Sequence, residues 1–148
     1  MIFGAILAGG VGSRMNISDM PKQFLPLGDK PIIIHTLEKF LLCERIDEIY
    51  IGVHPNWLVH MEDLIQKYVK IRKEQIHIVA GGGDRNTTIM NLVDQMEKDF
   101  GSSEEHYIIT HDSVRPFVTV RIINDNIDTV LKYKACDTVV AAMDTIVI

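Results

Sequence analysis

The sequence predicts an α/β fold in which a mostly parallel, twisted sheet carries helices on both faces. Strand-like and helix-like segments alternate along the 148 residues, as they do where crossover helices join parallel strands. The first segment, Ile2–Ala8, is apolar throughout, which is typical of a strand buried on both sides. A chain of this length fits a single domain with its own core.

In the first half of the chain, the strand Ile2–Ala8 ends at Gly9-Gly10 and precedes a predicted helix over residues 31–42. That helix has apolar residues at helical spacing, namely Ile33, Leu37, Phe40 and Leu41. A second strand, Glu48–Val53, precedes a helix over residues 57–69 whose apolar face comprises Leu58, Met61, Leu64, Ile65 and Tyr68. The third strand, Ile76–Ala80, ends at three glycines, residues 81–83.

The second half continues the alternation with a helix over residues 87–98, a strand over 107–110, a helix over 119–133 and a fifth strand over 138–142. In such sheets ligands bind beyond the carboxyl ends of the strands, where the two glycine clusters lie. Residues 144–148 form an apolar, strand-like end with nothing to cover it. We therefore expect residues 1–148 to form a C-terminally incomplete nucleotide-binding domain, with a self-contained domain as the alternative.

Charge and composition limit the expected partners. The net charge is -5, and long nucleic acids bind mainly through Lys and Arg that neutralise phosphates, so no nucleic acid is expected. The N-terminal apolar run is too short to cross a bilayer, so no membrane partner is expected either. The two cysteines, Cys43 and Cys136, match no metal-ligand spacing and are typical of reduced thiols in a cytoplasmic protein.

Residues 7–15, Leu-Ala-Gly-Gly-Val-Gly-Ser-Arg-Met, form a glycine-rich loop directly after the first strand. A dinucleotide fingerprint needs a small residue where Met15 stands, and the Gly-Lys-Ser/Thr of a Walker A loop is absent. What remains is a loop whose backbone amides can approach an anion closely. Arg14 then offers a planar fork to phosphate oxygens, and Lys22 adds a point charge beside Pro21. A solvated turn with two surface cations is the alternative.

Residues 81–88, Gly-Gly-Gly-Asp-Arg-Asn-Thr-Thr, end a strand and open a helix. Asp84 or Asn86 can cap that helix, and its exposed amides favour polar or anionic groups. Taken alone, this segment indicates a helix start and nothing more.

Residues 110–117, Thr-His-Asp-Ser-Val-Arg-Pro-Phe, place Asp112 at the carboxyl end of the fourth strand. A carboxylate near a phosphate loop is a natural Mg²⁺ ligand, because Mg²⁺ takes one or two carboxylates plus substrate phosphate oxygens. His111, Asp112 and Ser113 do not form a hydrolase triad, since consecutive residues cannot set up the relay geometry.

Together with residues 21–27, Pro-Lys-Gln-Phe-Leu-Pro-Leu, these segments closely resemble the IspD/TarI cytidylyltransferase family. They occur in the family's order and spacing over the whole chain, which is far more specific than any one loop. Within the family, residues 110–117 and Asp144-Thr145-Ile146 resemble the ribitol-5-phosphate cytidylyltransferases. The methylerythritol-phosphate enzymes more often have His-Asp-Ala-Ala-Arg-Pro.

The resemblance implies the Rossmann-like nucleotide-diphospho-sugar transferase fold and a role for each matching residue. Arg14 and Lys22 match two cations that stabilise the transition state, and Asp112 matches the Mg²⁺ ligand. The positions that match nucleotide contacts are Leu7, Ala8, Gly9, Gly10, Gly82, Gly83, Asp84, Arg85, Asn86, Thr87, Thr88 and Ser113. Thr88 stands where a serine is usual, and Gly83 where the family often has an acidic residue, so a side-chain contact at Gly83 is lost.

The implied function is Mg²⁺-dependent transfer of CMP from CTP to a sugar-alcohol phosphate. D-ribitol 5-phosphate would give CDP-ribitol and pyrophosphate, for teichoic acid or another cell-wall polymer, in a protein that is a homodimer when full length. One alternative is 2-C-methyl-D-erythritol 4-phosphate cytidylyltransferase of isoprenoid synthesis. Another is an inactive nucleotide-binding module, although a pure binder does not need Arg14, Lys22 and Asp112 together.

Overall fold

A computed structural model describes residues 1–10 and 20–141. In chain order its strands and helices are β1 (Ile2–Ala8), β2 (Pro26–Leu27), β3 (Lys30–Pro31), α1 (Ile32–Leu41), β4 (Glu48–Val53), α2 (Leu58–Tyr68), β5 (Ile76–Ala80), α3 (Arg85–Phe100), β6 (Tyr107–Asp112) and α4 (Val120–Tyr133). Strands β5, β4, β1 and β6 pair in that order as a parallel sheet, and β2 pairs antiparallel with β3. In the described ranges, no helix is long and apolar enough to cross a membrane.

The core has two parts because successive residues of a strand point to opposite faces of the sheet. On one face, β1 and β4 pack with α1, α2 and α4 through residues that include Ile6, Ile51, Leu37, Met61 and Ile127. On the other face they pack with α3, through Phe3, Ala5, Tyr50, Leu92 and Met96. The predicted parallel sheet with helices on both faces is therefore confirmed.

The order of the strands creates a crevice beside β1. From β1 the chain passes through α1 to β4 and through α2 to β5, and α3 then carries it back to β6 on the other side of β1. In open α/β sheets, ligands bind where connections leave neighbouring strands in opposite directions. Leu7 of β1 lies level with Asp112 of β6, so this crevice opens where both strands end.

The fifth strand predicted over residues 138–142 is wrong for residues 138–141, which are exposed and belong to no strand, whereas Ala142 lies outside the described residues. The amide of Asn126 on α4 donates to the Thr138 hydroxyl at 2.6 Å, and that hydroxyl is 3.0 Å from the Asn126 carbonyl oxygen. These contacts hold the segment against α4. Because residues 138–141 do not pair with any strand of the sheet, their apolar pattern does not produce a strand. Elsewhere, β6 continues to Asp112, two residues beyond the prediction.

Candidate active site

A cleft of about 290 Å³ opens at the carboxyl ends of β1 and β6. It is bounded by the glycines after β1, by Gln23, by the start of α3 and by the end of β6. The residues that line it are Leu7, Ala8, Gly9, Gly10, Gln23, Gly82, Gly83, Asp84, Arg85, Thr88, Asp112, Ser113 and Val114. Apart from Asn86 and Thr87, all the predicted nucleotide contacts lie in this lining, together with Asp112.

The segment before α3 shows which residue caps the helix. The backbone amide of Thr87 donates to Asp84 Oδ1 at 2.7 Å, so Asp84, and not Asn86, is the N-cap. This bond from the Thr87 amide also lowers the pKa of the Asp84 carboxyl. Asn86 and Thr87 are exposed on the first turn of α3, outside the lining of the cleft.

Thr88 organises the loop that the cleft shares with α3. Its side chain is buried, its hydroxyl donates to the Asp84 carbonyl at 2.8 Å, and the Gly82 amide donates to the hydroxyl at 3.0 Å. A Cβ on Gly52 would lie 2.5 Å from the Thr88 methyl, and a Cβ on Gly9 would lie 3.0 Å from its hydroxyl. Glycine is therefore required in β4, and favoured after β1, by the close approach of Thr88. The contact predicted between the Thr88 hydroxyl and a nucleotide stays a prediction.

Replacing Thr88 by valine is expected to lower the free energy of unfolding by about 1–3 kcal/mol, because the Gly82 amide loses its partner while the side-chain shape is kept. Thr88→Ser keeps the hydroxyl and serves as the matched control. Urea denaturation of the two variants makes the comparison. A loss in Thr88→Ser as large as that in Thr88→Val would show that the methyl group, and not the hydrogen bonds, holds the loop.

The turn that carries Lys22 is held from both sides. Lys22–Phe24 is a single 3₁₀ turn, in which Gln23 and Phe24 are buried and the Lys22 side chain is exposed. The Gln23 amide nitrogen donates to the carbonyls of Ala8 at 2.9 Å and Gly10 at 3.1 Å. Gln23 was not among the predicted site residues, because its partners are backbone carbonyls 15 and 13 residues away. Arg14, the other predicted catalytic cation, lies outside the described residues.

Two arginines share the Asp112 carboxylate at the mouth of the cleft. Arg85 Nη1 donates to Oδ1 at 3.1 Å, and Arg115 Nε donates to Oδ2 at 3.0 Å. The two arginine side chains are 55% and 72% exposed, so these ion pairs contribute little to stability. Arg115 was not among the predicted site residues, although its position three residues after Asp112 brings it back to that carboxylate in a turn.

The donor set at Asp112 fits Mg²⁺ bound together with a nucleotide. Over the described ranges, no group of three or more His, Cys, Asp or Glu side chains could hold a metal ion. Mg²⁺ commonly uses only one or two carboxylates and completes its coordination with substrate phosphates and water. Asp112 lines the cleft with a side chain that is 34% exposed, and the arginines on its oxygens are themselves largely exposed.

Comparison with known families places this fold. The family model described as 2-C-methyl-D-erythritol 4-phosphate cytidylyltransferase, IspD, matches residues 2–148. The chain belongs to the IspD family. Its membership confirms the resemblance inferred from the four sequence motifs.

Two curated relatives of this IspD-family chain are both named ribitol-5-phosphate cytidylyltransferase. Ribitol-5-phosphate cytidylyltransferase of Streptococcus pneumoniae serotype 2 (strain D39 / NCTC 7466) is 53% identical over 142 residues, which are 96% of this chain and 60% of that protein. The protein of the same name from Lactiplantibacillus plantarum (strain ATCC BAA-793 / NCIMB 8826 / WCFS1) is 53% identical over 147 residues, 99% of this chain and 62% of that protein. The chain thus spans about three fifths of the length of these relatives.

Solved structures support the fold. The 4-diphosphocytidyl-2C-methyl-D-erythritol synthase from Anaerococcus prevotii DSM 20548 has a TM-score of 0.64 at 22% identity, over 88% of this chain and 51% of that one. A second synthase of that name has a TM-score of 0.70 at 21% identity, over 89% of this chain and 55% of that one. At these identities the likeness concerns the fold, and it confirms the predicted Rossmann-like nucleotidyltransferase architecture.

Proposed function

We propose that the protein transfers CMP from CTP to D-ribitol 5-phosphate, forming CDP-ribitol and pyrophosphate. The observation that carries this proposal is the 53% identity to ribitol-5-phosphate cytidylyltransferases over nearly the whole chain. The second candidate acceptor is 2-C-methyl-D-erythritol 4-phosphate, because the family model bears its name. The product would serve teichoic acid or another cell-wall polymer, from a cytoplasmic, full-length homodimer in which residues 1–148 form the nucleotide-binding domain.

The chemistry is an in-line displacement at phosphorus. An oxygen of the acceptor phosphate forms a bond to the α-phosphorus of CTP, while the bond from that phosphorus to the oxygen bridging the β-phosphorus breaks. Pyrophosphate leaves with the electron pair of the broken bond. Since the attacking and attacked groups are both anionic, catalysis depends on positioning them and on stabilising the developing charge.

The residues around the cleft suit these two tasks. Gly9 and Gly10 carry no side chain that would keep the triphosphate from the backbone. Lys22, the exposed neighbour of the cleft-lining Gln23, and Arg14 are proposed to stabilise the charge on the leaving and equatorial oxygens. Mg²⁺ held by Asp112 would neutralise further phosphate charge. Arg85 and Arg115 pair with Asp112 at 3.1 and 3.0 Å, and each can move to a substrate phosphate when the carboxylate takes a cation.

The loop over residues 82–88 suits the base end of CTP. The bond from the Thr87 amide lowers the pKa of Asp84, so its carboxylate is ionised at neutral pH. Backbone carbonyls of the loop can accept a hydrogen bond from the cytosine amino group. Uracil presents an oxygen at that position, and one acceptor facing another is costly when both are buried.

The test measures pyrophosphate release by the full-length protein with Mg²⁺, pairing CTP or UTP with ribitol 5-phosphate or methylerythritol 4-phosphate. We expect release with CTP and ribitol 5-phosphate, at a kcat/KM about 10²-fold above that with UTP. A higher kcat/KM with methylerythritol 4-phosphate would transfer the proposal to the second acceptor. Nucleotide binding without release in any combination would indicate a non-catalytic nucleotide-binding module.

A further inference from the structure

A single side-chain amide connects the turn that carries Lys22 to the end of β1. Gln23 is 4% exposed, and its Nε2 donates to the Ala8 carbonyl at 2.9 Å and to the Gly10 carbonyl at 3.1 Å. The two acceptors lie on either side of Gly9, so both protons of one nitrogen fix the backbone that lines the cleft. A buried polar group with two such bonds is expensive to remove.

The opposite side of the same turn packs against α2 and the residue before it. Phe24 is 3% exposed, with its ring centroid 4.9 Å from that of His60, edge-on, and 5.3 Å from that of Trp57. The turn itself is closed by hydrogen bonds from Phe24 N to Pro21 O at 3.0 Å and from Leu25 N to Lys22 O at 3.1 Å. The backbone of Lys22 therefore lies between buried neighbours, although its side chain is exposed.

This arrangement restricts a side chain that is otherwise flexible. A lysine has a four-carbon stem with many rotamers, so its ammonium samples a wide region unless its base is fixed. With the Cα of Lys22 fixed beside Gln23, which lines the cleft, the ammonium can reach only the space within one side-chain length of that point. The amide of Gln23 adds no charge there, so it does not compete with Lys22 for a phosphate.

We propose that Gln23 is a positioning residue that acts through Lys22, by joining the turn of Lys22 to the backbone of residues 8–10, which lines the cleft proposed to bind the triphosphate. The inference rests on the proposed function and adds to it the residue that places the catalytic cation. A residue that merely stabilised the fold would affect activity to the same extent whether or not Lys22 were present.

The test is a double-mutant cycle in the full-length protein, with kcat and the KM for CTP measured for CMP transfer. Gln23→Met keeps the side-chain volume and removes the amide donors. We expect it to lower kcat about 10-fold when Lys22 is present and less than about 2-fold in Lys22→Ala protein, with the KM for CTP changed less than about 3-fold. Thermal unfolding of each variant checks the fold, and Gln23→Asn, which keeps a neutral amide on a stem shorter by one methylene, replaces Gln23→Met if the latter does not fold.

Equal losses of kcat in the two backgrounds would overturn the inference while leaving the proposed function intact. A loss confined to the KM for CTP would also overturn it, because Gln23 would then shape the loop and not place Lys22. Absence of CMP transfer by the unmodified protein would overturn both proposals, so the two failures are distinguishable.

Discussion

Lys22→Ala is expected to lower kcat for CMP transfer by about 10²–10³-fold, because it removes one preorganised cation from the developing phosphate charge. The fold is expected to tolerate the change. Lys22 is exposed, and the buried contacts of its turn belong to Gln23 and Phe24. The free energy of unfolding is therefore expected to change by less than about 0.5 kcal/mol, as for other surface substitutions. The sequence motif predicts a comparable loss for Arg14→Ala.

The matched control is Lys98→Ala, which removes the same charge from an exposed position on the last turn of α3, at the far end of that helix from the cleft. Single-turnover and steady-state rates of both variants, measured at saturating CTP, separate the chemical step from binding. Near-normal turnover of Lys22→Ala would remove its role in the transition state. Equal losses in the two variants would indicate a general effect of net charge.

The fold could be predicted because local patterns decide most of it. An apolar run ending in glycines gave β1, and apolar residues three and four positions apart gave the helices, whose faces are buried at Leu37, Met61 and Leu92. The error at residues 138–141 also comes from relying on a local apolar pattern. A strand needs a partner as well as an apolar pattern, and here the side chain of Asn126 binds Thr138 on the side of α4.

The candidate site was predictable where chemistry lies in side chains and less so where it depends on long-range contacts. Asp112 and the glycine loops stand out in the sequence, and the cleft brings them together. The role of Gln23 is not visible there, because its partners are backbone carbonyls 15 and 13 residues away. Gly52 is a similar case. Glycine is a poor strand residue, and its reason in β4 is a long-range contact: the Thr88 methyl occupies the space that a Cβ would need.

Asp112→Asn is expected to lower kcat by about 10²-fold or more and to raise the Mg²⁺ concentration needed for half-maximal rate. An asparagine keeps the size of the side chain but loses the negative charge that holds a divalent cation near the phosphates. In the absence of metal, the same change is not expected to weaken the binding of the nucleotide. Asp112 lies between Arg85 and Arg115, so its neutralisation leaves two cations unpaired beside the cleft, and CTP binding in EDTA is expected to be unchanged or tighter.

The control is Asp84→Asn, the same chemical change at a second carboxylate that lines the same cleft. Asparagine is as good an N-cap as aspartate, so the bond from the Thr87 amide to the cap is retained. In our proposal Asp84 lies at the base end of the cleft. The Mg²⁺ concentration that gives half-maximal rate is therefore expected to be the same in Asp84→Asn as in the unmodified protein. Calorimetric titration with CTP in EDTA completes the comparison for both variants. If the Mg²⁺ midpoint shifted in Asp84→Asn and stayed the same in Asp112→Asn, the metal would be assigned to the start of α3 instead of the end of β6.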